Sequence, residues 1–213
     1  SVTWAVQVGG QKSESPTTSM ASPSISGIVV DDGVRNTGAS TSGGDVVTLV
    51  GDNFGPILDS SDGRSYATFG PTGVEQTGTA CEVVTAHTHM RCAMGPGVGT
   101  QLSWVVSVGG QRSEPSSATT AYAPPRVETI SPTIAPTSGC ELTLSGTNFG
   151  PDGLRQVLWD NDPVAHSLDK IGDDGVQQQI TLQVPPGTGA DHRVWIKHLT
   201  TQGSAVVQTN VLL

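Results

Sequence analysis

Two phrases of sequence recur along this chain, and the positions of their copies limit what it can fold into more than any other feature. The phrase Gly-Asp-Asn-Phe-Gly-Pro at residues 51–56 returns as Gly-Thr-Asn-Phe-Gly-Pro at residues 146–151. A second phrase, at residues 104–114, is already present at residues 4–14, and a weaker copy runs over residues 195–202. The chain therefore contains two complete repeats, preceded by the end of a third.

The composition favours an all-β protein with many turns. Of the 213 residues, 27 are Gly and 14 are Pro, only 14% are charged, and Val and Thr are plentiful. Predicted short strands follow one another at intervals of about 10 residues and are separated by Gly/Pro turns, which is typical of β-sandwiches. Because each repeat carries one set of phrases, we expect two sandwiches of about 90–100 residues each.

The N-terminal copy lies outside both complete repeats. Trp4, Val6 and Val8 alternate with Thr, Ala and Gln before a Gly-Gly pair turns the chain, which predicts a strand. A hairpin cut from its sheet is at best marginally stable in water, so this segment is expected to dock on a neighbouring domain or subunit. The predicted organisation is an N-terminal strand or hairpin with a Ser/Thr/Pro linker at 1–23, a first domain at 24–123 and a second at 124–213.

Charge and motifs exclude several classes of function. The net charge is −9 and the Lys and Arg residues are scattered, so neither nucleic acid nor an anionic membrane is an expected partner. No apolar run approaches the ~18 residues of a membrane-spanning helix, so we expect no membrane insertion of this segment. The chain also lacks a Gly-x-Ser-x-Gly nucleophile elbow and a phosphate-cradling loop. We therefore predict no enzymatic activity and no cofactor.

The chain has three cysteines, and two of them are spaced to form a crosslink. Cys81 and Cys92 flank two predicted strands around a turn, and a disulfide between them would indicate an oxidising, extracellular setting. The alternatives are two buried thiols in a cytosolic protein or a metal site, which no paired Cys or His spacing supports. Cys140 has no partner in the chain and is predicted to be a buried small residue, with an intermolecular bond as the alternative.

The second domain opens with a series of short phrases at fixed offsets. They are Ile130-Ser131-Pro132, then Thr137-Ser138-Gly139, then a Leu/Thr strand, and then Gly-Thr-Asn-Phe-Gly at 146–150. This series resembles the opening of IPT/TIG domains, a family with an immunoglobulin-like fold, and residues 42–54 match it in the first domain. The resemblance covers roughly residues 24–213 and implies two tandem immunoglobulin-like β-sandwiches.

The resemblance extends to the cysteine region of the first domain. Cys81, Cys92 and the Pro-Gly-Val-Gly turn at 96–99 are similar to the Cys-x-x-Pro-x-Gly-x-Gly phrase of extracellular members of the family. It implies an extracellular or cell-surface location. Two departures concern the subfamily: the first domain has Val-Val-Asp-Asp at 29–32 where the opening Pro is usual, and the second domain lacks the cysteine pair.

The Asn-Phe-Gly turn is predicted to be structural. Asparagine can bond its own backbone or accept left-handed geometry, and the glycine that follows permits a tight turn. The phenylalanine is expected to plug the end of its sandwich. The residues concerned are Asn53, Phe54, Gly55, Asn148, Phe149 and Gly150.

The remaining candidates for chemistry are weak. His87 and His89 lie two residues apart and would share one face of a strand, either as a surface pair or as a metal pair that lacks a third ligand. Two acidic loops faintly resemble calcium loops but do not meet the ligand positions of an EF-hand, so solvated turns are expected. Their residues are Asp59, Asp62 and Gly63 in the first domain and Asp169, Asp173, Asp174 and Gly175 in the second.

Covalent glycans are a further possibility in the Ser/Thr/Pro-rich stretches. The chain has no Asn-x-Ser/Thr sequon, so N-glycosylation is not expected. Candidate sites for O-linked sugars are Thr17, Thr18, Ser116 and Ser117, and a plain flexible linker is the alternative.

The N-terminal copy leads to the first functional hypothesis. This interpretation is a non-enzymatic structural subunit of an extracellular filament or surface fibre, whose copies assemble head-to-tail by β-strand addition through Trp4, Val6 and Val8. One alternative is the ectodomain of a multi-repeat cell-surface receptor or adhesion protein, in which the partial copy ends an adjacent repeat of a longer chain. A second alternative is a carbohydrate-binding accessory module, which would need exposed aromatic rings on one face.

Overall fold

Strands and turns account for the part of the chain that the structure describes. The computed structural model describes residues 2–14, 17–30, 38–57, 65–171, 177–200 and 211–212. These residues contain no helix, so the prediction of an all-β protein is confirmed. None of them accordingly forms a helix of the length and hydropathy that crossing a bilayer requires.

The N-terminal residues form two small paired units. The strands are β1 (Val2–Thr3), β2 (Gln7–Val8), β3 (Gln11–Lys12) and β4 (Thr17–Thr18). β1 pairs with β4 and β2 pairs with β3, both antiparallel. The segment is thus a hairpin and not one continuous strand. Gly9 and Gly10 take φ values of 58° and 81°, and positive φ at both central residues is what a two-residue turn of type I′ requires.

The first domain consists of two antiparallel sheets packed face to face. One sheet has the order β5-β6-β10-β9 and the other β12-β11-β7-β8. Their bounds are β5 (Ser24–Val30), β6 (Val46–Asp52), β7 (Ser65–Gly70), β8 (Gln76–Thr77), β9 (Thr79–Thr85), β10 (His89–Ala93), β11 (Ser103–Val108) and β12 (Gln111–Arg112).

The second domain repeats this strand order. Its sheets have the orders β13-β14-β18-β17 and β16-β15-β19-β20. Their bounds are β13 (Arg126–Ser131), β14 (Cys140–Thr147), β15 (Arg155–Trp159), β16 (Asp162–Pro163), β17 (His166–Ile171), β18 (Gln177–Val184), β19 (Arg193–His198) and β20 (Val211–Leu212).

Each sandwich has its own hydrophobic core, built from alternate residues of its strands. In β14, Leu142 and Leu144 are fully buried, and Thr143 between them faces outward. In the first domain, the rings of Phe69 and Trp104 stack with centroids 4.6 Å apart. The indole Nε1–H of Trp104 donates a hydrogen bond of 3.0 Å to the hydroxyl of Thr120, so the buried polar atom of this ring is satisfied.

The predicted disulfide between Cys81 and Cys92 is confirmed. It joins the neighbouring strands β9 and β10, and both cysteines belong to the first core. Cys140 is a free thiol at the first residue of β14. It is half-buried and not fully buried as expected, because it shares a face with Leu142 but lies at the very end of the strand.

The glycine two residues before each Asn-Phe-Gly turn has a role that turn chemistry does not explain. Gly51 and Gly146 lie opposite the first strand of their domain, at its bulge. A Cβ on Gly51 would clash with the carbonyl oxygen of Ser24 and lie 2.7 Å from Cζ of Phe54. A Cβ on Gly146 would meet the carbonyl oxygen of Arg126 in the same way and lie 3.0 Å from Cζ of Phe149. Only glycine lets the strand and the ring approach so closely.

We therefore expect Gly51→Ala and Gly146→Ala each to destabilise its own domain by about 3 kcal/mol, since backbone and a buried ring must move to admit the methyl group. Gly27→Ala is the matched control, because a Cβ at Gly27 has no heavy atom within 4 Å and its φ is not positive. Urea unfolding followed by tryptophan fluorescence measures the effect. Equal stabilities of Gly51→Ala and Gly27→Ala would refute the close-approach explanation.

Candidate functional site

The two domains meet end to end. The end of each domain that carries the turn at 53–55 or 148–150 is called here its Asn-Phe-Gly end. The opposite end carries the loop Thr41-Ser42-Gly43 in the first domain or Thr137-Ser138-Gly139 in the second and is called its Thr-Ser-Gly end. In the structure, the Thr-Ser-Gly end of the first domain contacts the Asn-Phe-Gly end of the second.

The Asn-Phe-Gly turn of the second domain is held by hydrogen bonds from its own domain. Phe149 is fully buried, and its backbone N–H donates a hydrogen bond of 2.6 Å to the side-chain oxygen of Gln178. Arg155 is 7% exposed, donates from Nη1 to the carbonyl oxygen of Gly150 at 2.8 Å and forms an ion pair with Asp152. The charged group is therefore paired and hydrogen-bonded, as burial of a guanidinium requires.

Asn148 and its counterpart occupy the left-handed region. Asn148 has a φ of 58° and Asn53 a φ of 63°, values that asparagine adopts more readily than other residues with a side chain. Phe54, like Phe149, is fully buried in its own core. The two turns therefore have the same geometry, and each directs the asparagine side chain away from the core that its phenylalanine enters.

Tyr122 stabilises the Thr-Ser-Gly end of the first domain, which contacts the second domain. The Tyr122 hydroxyl donates a hydrogen bond of 2.6 Å to the carbonyl oxygen of Gly95, and burial raises its pKa, so the group stays a donor. A Cβ on Gly97 would lie 2.7 Å from the Tyr122 hydroxyl oxygen. The Gly97 N–H donates to the carbonyl oxygen of Thr41 at 3.1 Å. Tyr122 therefore bonds the loop at 95–97 directly, and that loop in turn bonds the Thr-Ser-Gly loop.

Hydrogen bonds between described residues of the two domains cross the junction. The Thr41 N–H donates to the side-chain oxygen of Asn148, and the Gly150 N–H donates to the Thr41 hydroxyl, each at 3.3 Å. The side-chain amide of Gln178 donates to the Ser42 hydroxyl at 3.3 Å. Thr41 is only 1% exposed, so its backbone N–H and its hydroxyl depend on the second domain for partners.

An apolar contact closes the junction beside these hydrogen bonds. Val98 is 6% exposed, and a Cβ on Gly150 would lie 3.0 Å from its Cγ1. The glycine of the turn thus also permits the approach of the other domain. Sequence analysis assigned this turn only to the end of its own sandwich and missed its contact across the junction. The recurrence of Thr-Ser-Gly and Asn-Phe-Gly in both domains was the signal that could have indicated paired ends.

A buried histidine borders the same contact. His198 is 3% exposed, and its Nε2 lies 3.0 Å from the carbonyl oxygen of Asn148. Because a carbonyl oxygen only accepts hydrogen bonds, Nε2 carries the proton of the neutral ring. Burial lowers the pKa of His198, and the hydrogen bond to Asn148 opposes this only in part. The ring is therefore kept neutral behind the turn.

The two histidines predicted to share a strand face lie on different elements. His87 is exposed in the turn between β9 and β10, with a φ of 67°. His89 is half-buried in β10, and its Nδ1 lies 2.9 Å from the Thr88 hydroxyl. The described residues include no group of three or more His, Cys, Asp or Glu side chains that could hold a metal ion.

The two acidic loops fall largely outside the described residues. Asp59, Asp62 and Gly63 lie in the undescribed stretch 58–64, and Asp173, Asp174 and Gly175 lie in 172–176. Asp169 belongs to β17 and pairs with Gln179.

The candidate sites for O-linked sugars differ in exposure. Thr17, Thr18 and Ser117 are exposed. Ser116 is 6% exposed, and its hydroxyl accepts from the Trp104 N–H at 2.9 Å and donates to the carbonyl oxygen of Ala118 at 2.6 Å. A sugar on Ser116 would remove the bond that its hydroxyl donates and would have to fit at a buried position, so the structure argues against this site.

A carbohydrate-binding face would need neighbouring exposed aromatic rings. Among the described residues, the exposed aromatic side chains are Trp4 and Tyr66, at 61% and 42%. Trp4 belongs to the N-terminal hairpin and Tyr66 to β7, so the two rings lie on separate elements. The other rings of the first domain belong to its core.

Two sandwiches of equal topology, joined end to end, define a tandem array of immunoglobulin-like domains. Comparison with protein families matches the IPT/TIG domain to residues 23–122 and again to residues 125–210. The chain therefore belongs to the IPT/TIG domain family. Among proteins with curated descriptions, none matches it significantly.

Solved structures with a similar arrangement are distant. The full extracellular region of plexin A4 is 17% identical, with a TM-score of 0.38, over 90% of this chain and 15% of that one. The surface glycan-binding protein PbSGBP-B from Prevotella bryantii is 18% identical, with a TM-score of 0.47, over 91% of this chain and 42% of that one. The chain thus spans less than half the length of either protein, and at these scores neither likeness carries an inference about ligands.

We expect the second domain to lose stability as the pH falls below about 6.5, the ordinary pKa of histidine. The folded state holds His198 neutral at a lowered pKa, so below that pH the unfolded chain binds more protons and is favoured. Urea unfolding at about pH 7.5 and about pH 5.5 measures the difference. His198→Gln, which keeps a donor for the Asn148 carbonyl, should reduce it, whereas His87→Gln on the exposed turn should not. An unchanged difference in His198→Gln would assign the pH effect to other groups.

Proposed function

We propose that the chain is a non-enzymatic segment of an extracellular multi-repeat protein, of the receptor or adhesion type, in which successive domains are held at a fixed angle. The observation that carries this proposal is the junction. Its hydrogen bonds use Thr41 and Asn148 of different domains, and both lie in phrases that recur once per domain. Each domain therefore carries the residues for a contact of this kind at both of its ends.

The connection between the domains supports a stiff array. The Ala123 N–H donates to the carbonyl oxygen of Ala39 at 2.7 Å, and Tyr122 pairs with Ala39 in a parallel bridge. Ala123 and Pro125 are buried, so the link belongs to the structure on either side of it. Because proline restricts its backbone and Ala123 is bonded to the first domain, this short link leaves little freedom for the domains to rotate.

The disulfide supports an extracellular location. A crosslink between Cys81 and Cys92 persists in oxidising compartments and is rare in the cytosol. The net charge of −9 suits an exposed, soluble surface and offers no basic patch for nucleic acid. Both observations fit an ectodomain.

The receptor or adhesion interpretation takes precedence over the fibre subunit. The contact that the structure contains joins two domains of one polypeptide, and it needs no second copy of the chain. The segment proposed to add to a neighbouring subunit is a hairpin, in which Val8 pairs with Gln11, and its described contacts all lie within this chain. Head-to-tail assembly by strand addition therefore has no support from the described contacts.

The proposal predicts that both domains tumble as one body. A single alignment tensor should fit backbone N–H residual dipolar couplings from both domains of the natural chain. Thr41→Val removes the hydroxyl that accepts from Gly150, leaves that N–H without its partner at a cost of about 1–3 kcal/mol, and should give the domains separate tensors.

Thr129→Val, at an exposed position of β13, is the matched control and should keep the single tensor. If the natural chain already requires two tensors of different magnitude, the domains are independent and the proposed stiff segment is wrong.

A further inference from the structure

The N-terminal hairpin repeats the last hairpin of the first domain bond for bond. Val8 pairs with Gln11 just as residues 108 and 111 pair in the β11–β12 hairpin. The Val6 N–H donates to the Ser13 hydroxyl at 3.0 Å, and residues 106 and 113 make the same bond at the same length. The Ser13 N–H donates to the carbonyl oxygen of Val6 at 2.8 Å, and the equivalent bond between residues 113 and 106 measures 2.9 Å. The two hairpins are therefore structurally equivalent.

The equivalence continues beyond the hairpin. Val2 is paired with Thr18, and in the first domain Leu102 is bridged to Thr120 in the same antiparallel sense. Two residues further on, Met20 stands where the first domain has Tyr122, which is the residue that holds its docking loops. Residues 2–20 thus reproduce the last part of an IPT/TIG domain in both sequence and pairing.

The burial of the two copies is opposite. Trp104 is fully buried in the first domain, whereas Trp4 is 61% exposed. Tyr122 is 4% exposed, and Met20 is 79% exposed. In the first domain, β11 is also hydrogen-bonded along β7, and no described residue stands in that position beside the N-terminal hairpin. The hairpin therefore presents a core-type face and a strand edge without the rest of a sandwich.

The Asn-Phe-Gly end of the first domain lies next to this segment, and among the described residues no other domain covers it. The side-chain amide of Asn53 donates to the carbonyl oxygen of Ser22 at 3.1 Å, and that of Gln111 donates to the carbonyl oxygen of Met20 at 3.0 Å. Between them lies a cavity of about 550 Å³, lined by Met20, Asn53, Gly55 and Gln111 among others. The same end of the second domain is covered by Thr41, Ser42 and Val98.

We propose that the Asn-Phe-Gly end of the first domain is the docking surface for one further IPT/TIG repeat, which precedes it in the same polypeptide and is completed by residues 2–20. This inference deepens the proposed function by naming the partner. The body of that repeat pairs with the edge of Trp4–Val8 and buries their side chains. Its Thr-Ser-Gly loop then donates a backbone N–H to the Asn53 side-chain oxygen and accepts from the Gly55 N–H.

The chain itself shows that such ends are complementary in more than one repeat. In the second domain, the Gly187 N–H donates to the carbonyl oxygen of Thr137 at 3.0 Å, which matches the bond that shapes the docking loop of the first domain. Ile134 on this end is 84% exposed. A second copy of the chain could therefore offer the same chemistry, and the experiment must distinguish it from a preceding repeat.

The test uses a three-repeat chimera built from this sequence alone, with residues 24–101 joined directly in front of residues 2–213. Residues 24–101 contain no tryptophan, so the natural chain and the chimera have the same four indoles. We expect iodide to quench Trp4 in the natural chain and to lose access to it in the chimera. Amide exchange of residues 4–12 should slow by at least ~10-fold, since these amides join a cooperative sheet.

Two further proteins make the result decisive. The folding control carries residues 24–123 in front of residues 22–213, so its added repeat keeps its own hairpin. If this control folds and the chimera with residues 2–23 does not, or leaves Trp4 open to iodide, the inference is overturned. Val6→Asp in the chimera should restore rapid exchange at residues 4–12, because a charge would be buried in the new core.

The natural chain provides an independent check. Light scattering should find it monomeric up to ~100 μM, because the partner of the hairpin is a preceding repeat and not another copy. A dimer or polymer that Trp4→Asp dissolves would assign the surface to a second copy and overturn the inference. Shielding of Trp4 from iodide in the natural monomer would do so as well. Neither result would alter the dipolar couplings between the two present domains, which test the proposed function separately.

Discussion

The close approach of two backbones at one glycine is the constraint on which the rest of each domain depends. At Gly51 and Gly146 the first strand passes so near the second that no side chain fits between them. That approach leaves room for the phenylalanine three residues later to enter the core. The turn that follows then projects its asparagine outward, so one short phrase closes a sandwich and prepares its outer end for contact.

The Asn-Phe-Gly phrase therefore contributes to both the core of its own domain and the contact with the other domain. Phe149 belongs to the core of the second domain, whereas Asn148 and Gly150 contact Thr41 of the first. Because one end of a domain supplies the Thr-Ser-Gly loop and the other end the Asn-Phe-Gly turn, contacts of this kind join unlike ends. An array built in this way has a direction, and at the junction in this chain the two ends meet through hydrogen bonds and a buried valine.

Repetition made much of the molecule predictable. The alternation of apolar residues and the Gly/Pro turns indicated the strands, and the spacing of Cys81 and Cys92 indicated the disulfide that the structure contains. The N-terminal hairpin was also visible, because Gly9-Gly10 is a local signal. The half-buried position of Cys140 and the burial of Ser116 were not predictable, since both depend on where a neighbouring strand or loop begins. The bonds between Thr41 and Asn148 link residues more than a hundred positions apart, and no local pattern encodes such a pair.

By itself, the sequence determined the all-β class, the number of repeats and the hairpin turn, because periodicity, internal copies and paired glycines act over a few residues. The tertiary structure alone decided why Gly51 and Gly146 must be glycine, which ends of the domains meet, and that Trp4 is exposed where its copy Trp104 is buried. Identical local sequence can fold the same hairpin, but burial depends on the strands that surround it, and those are supplied by distant parts of a chain.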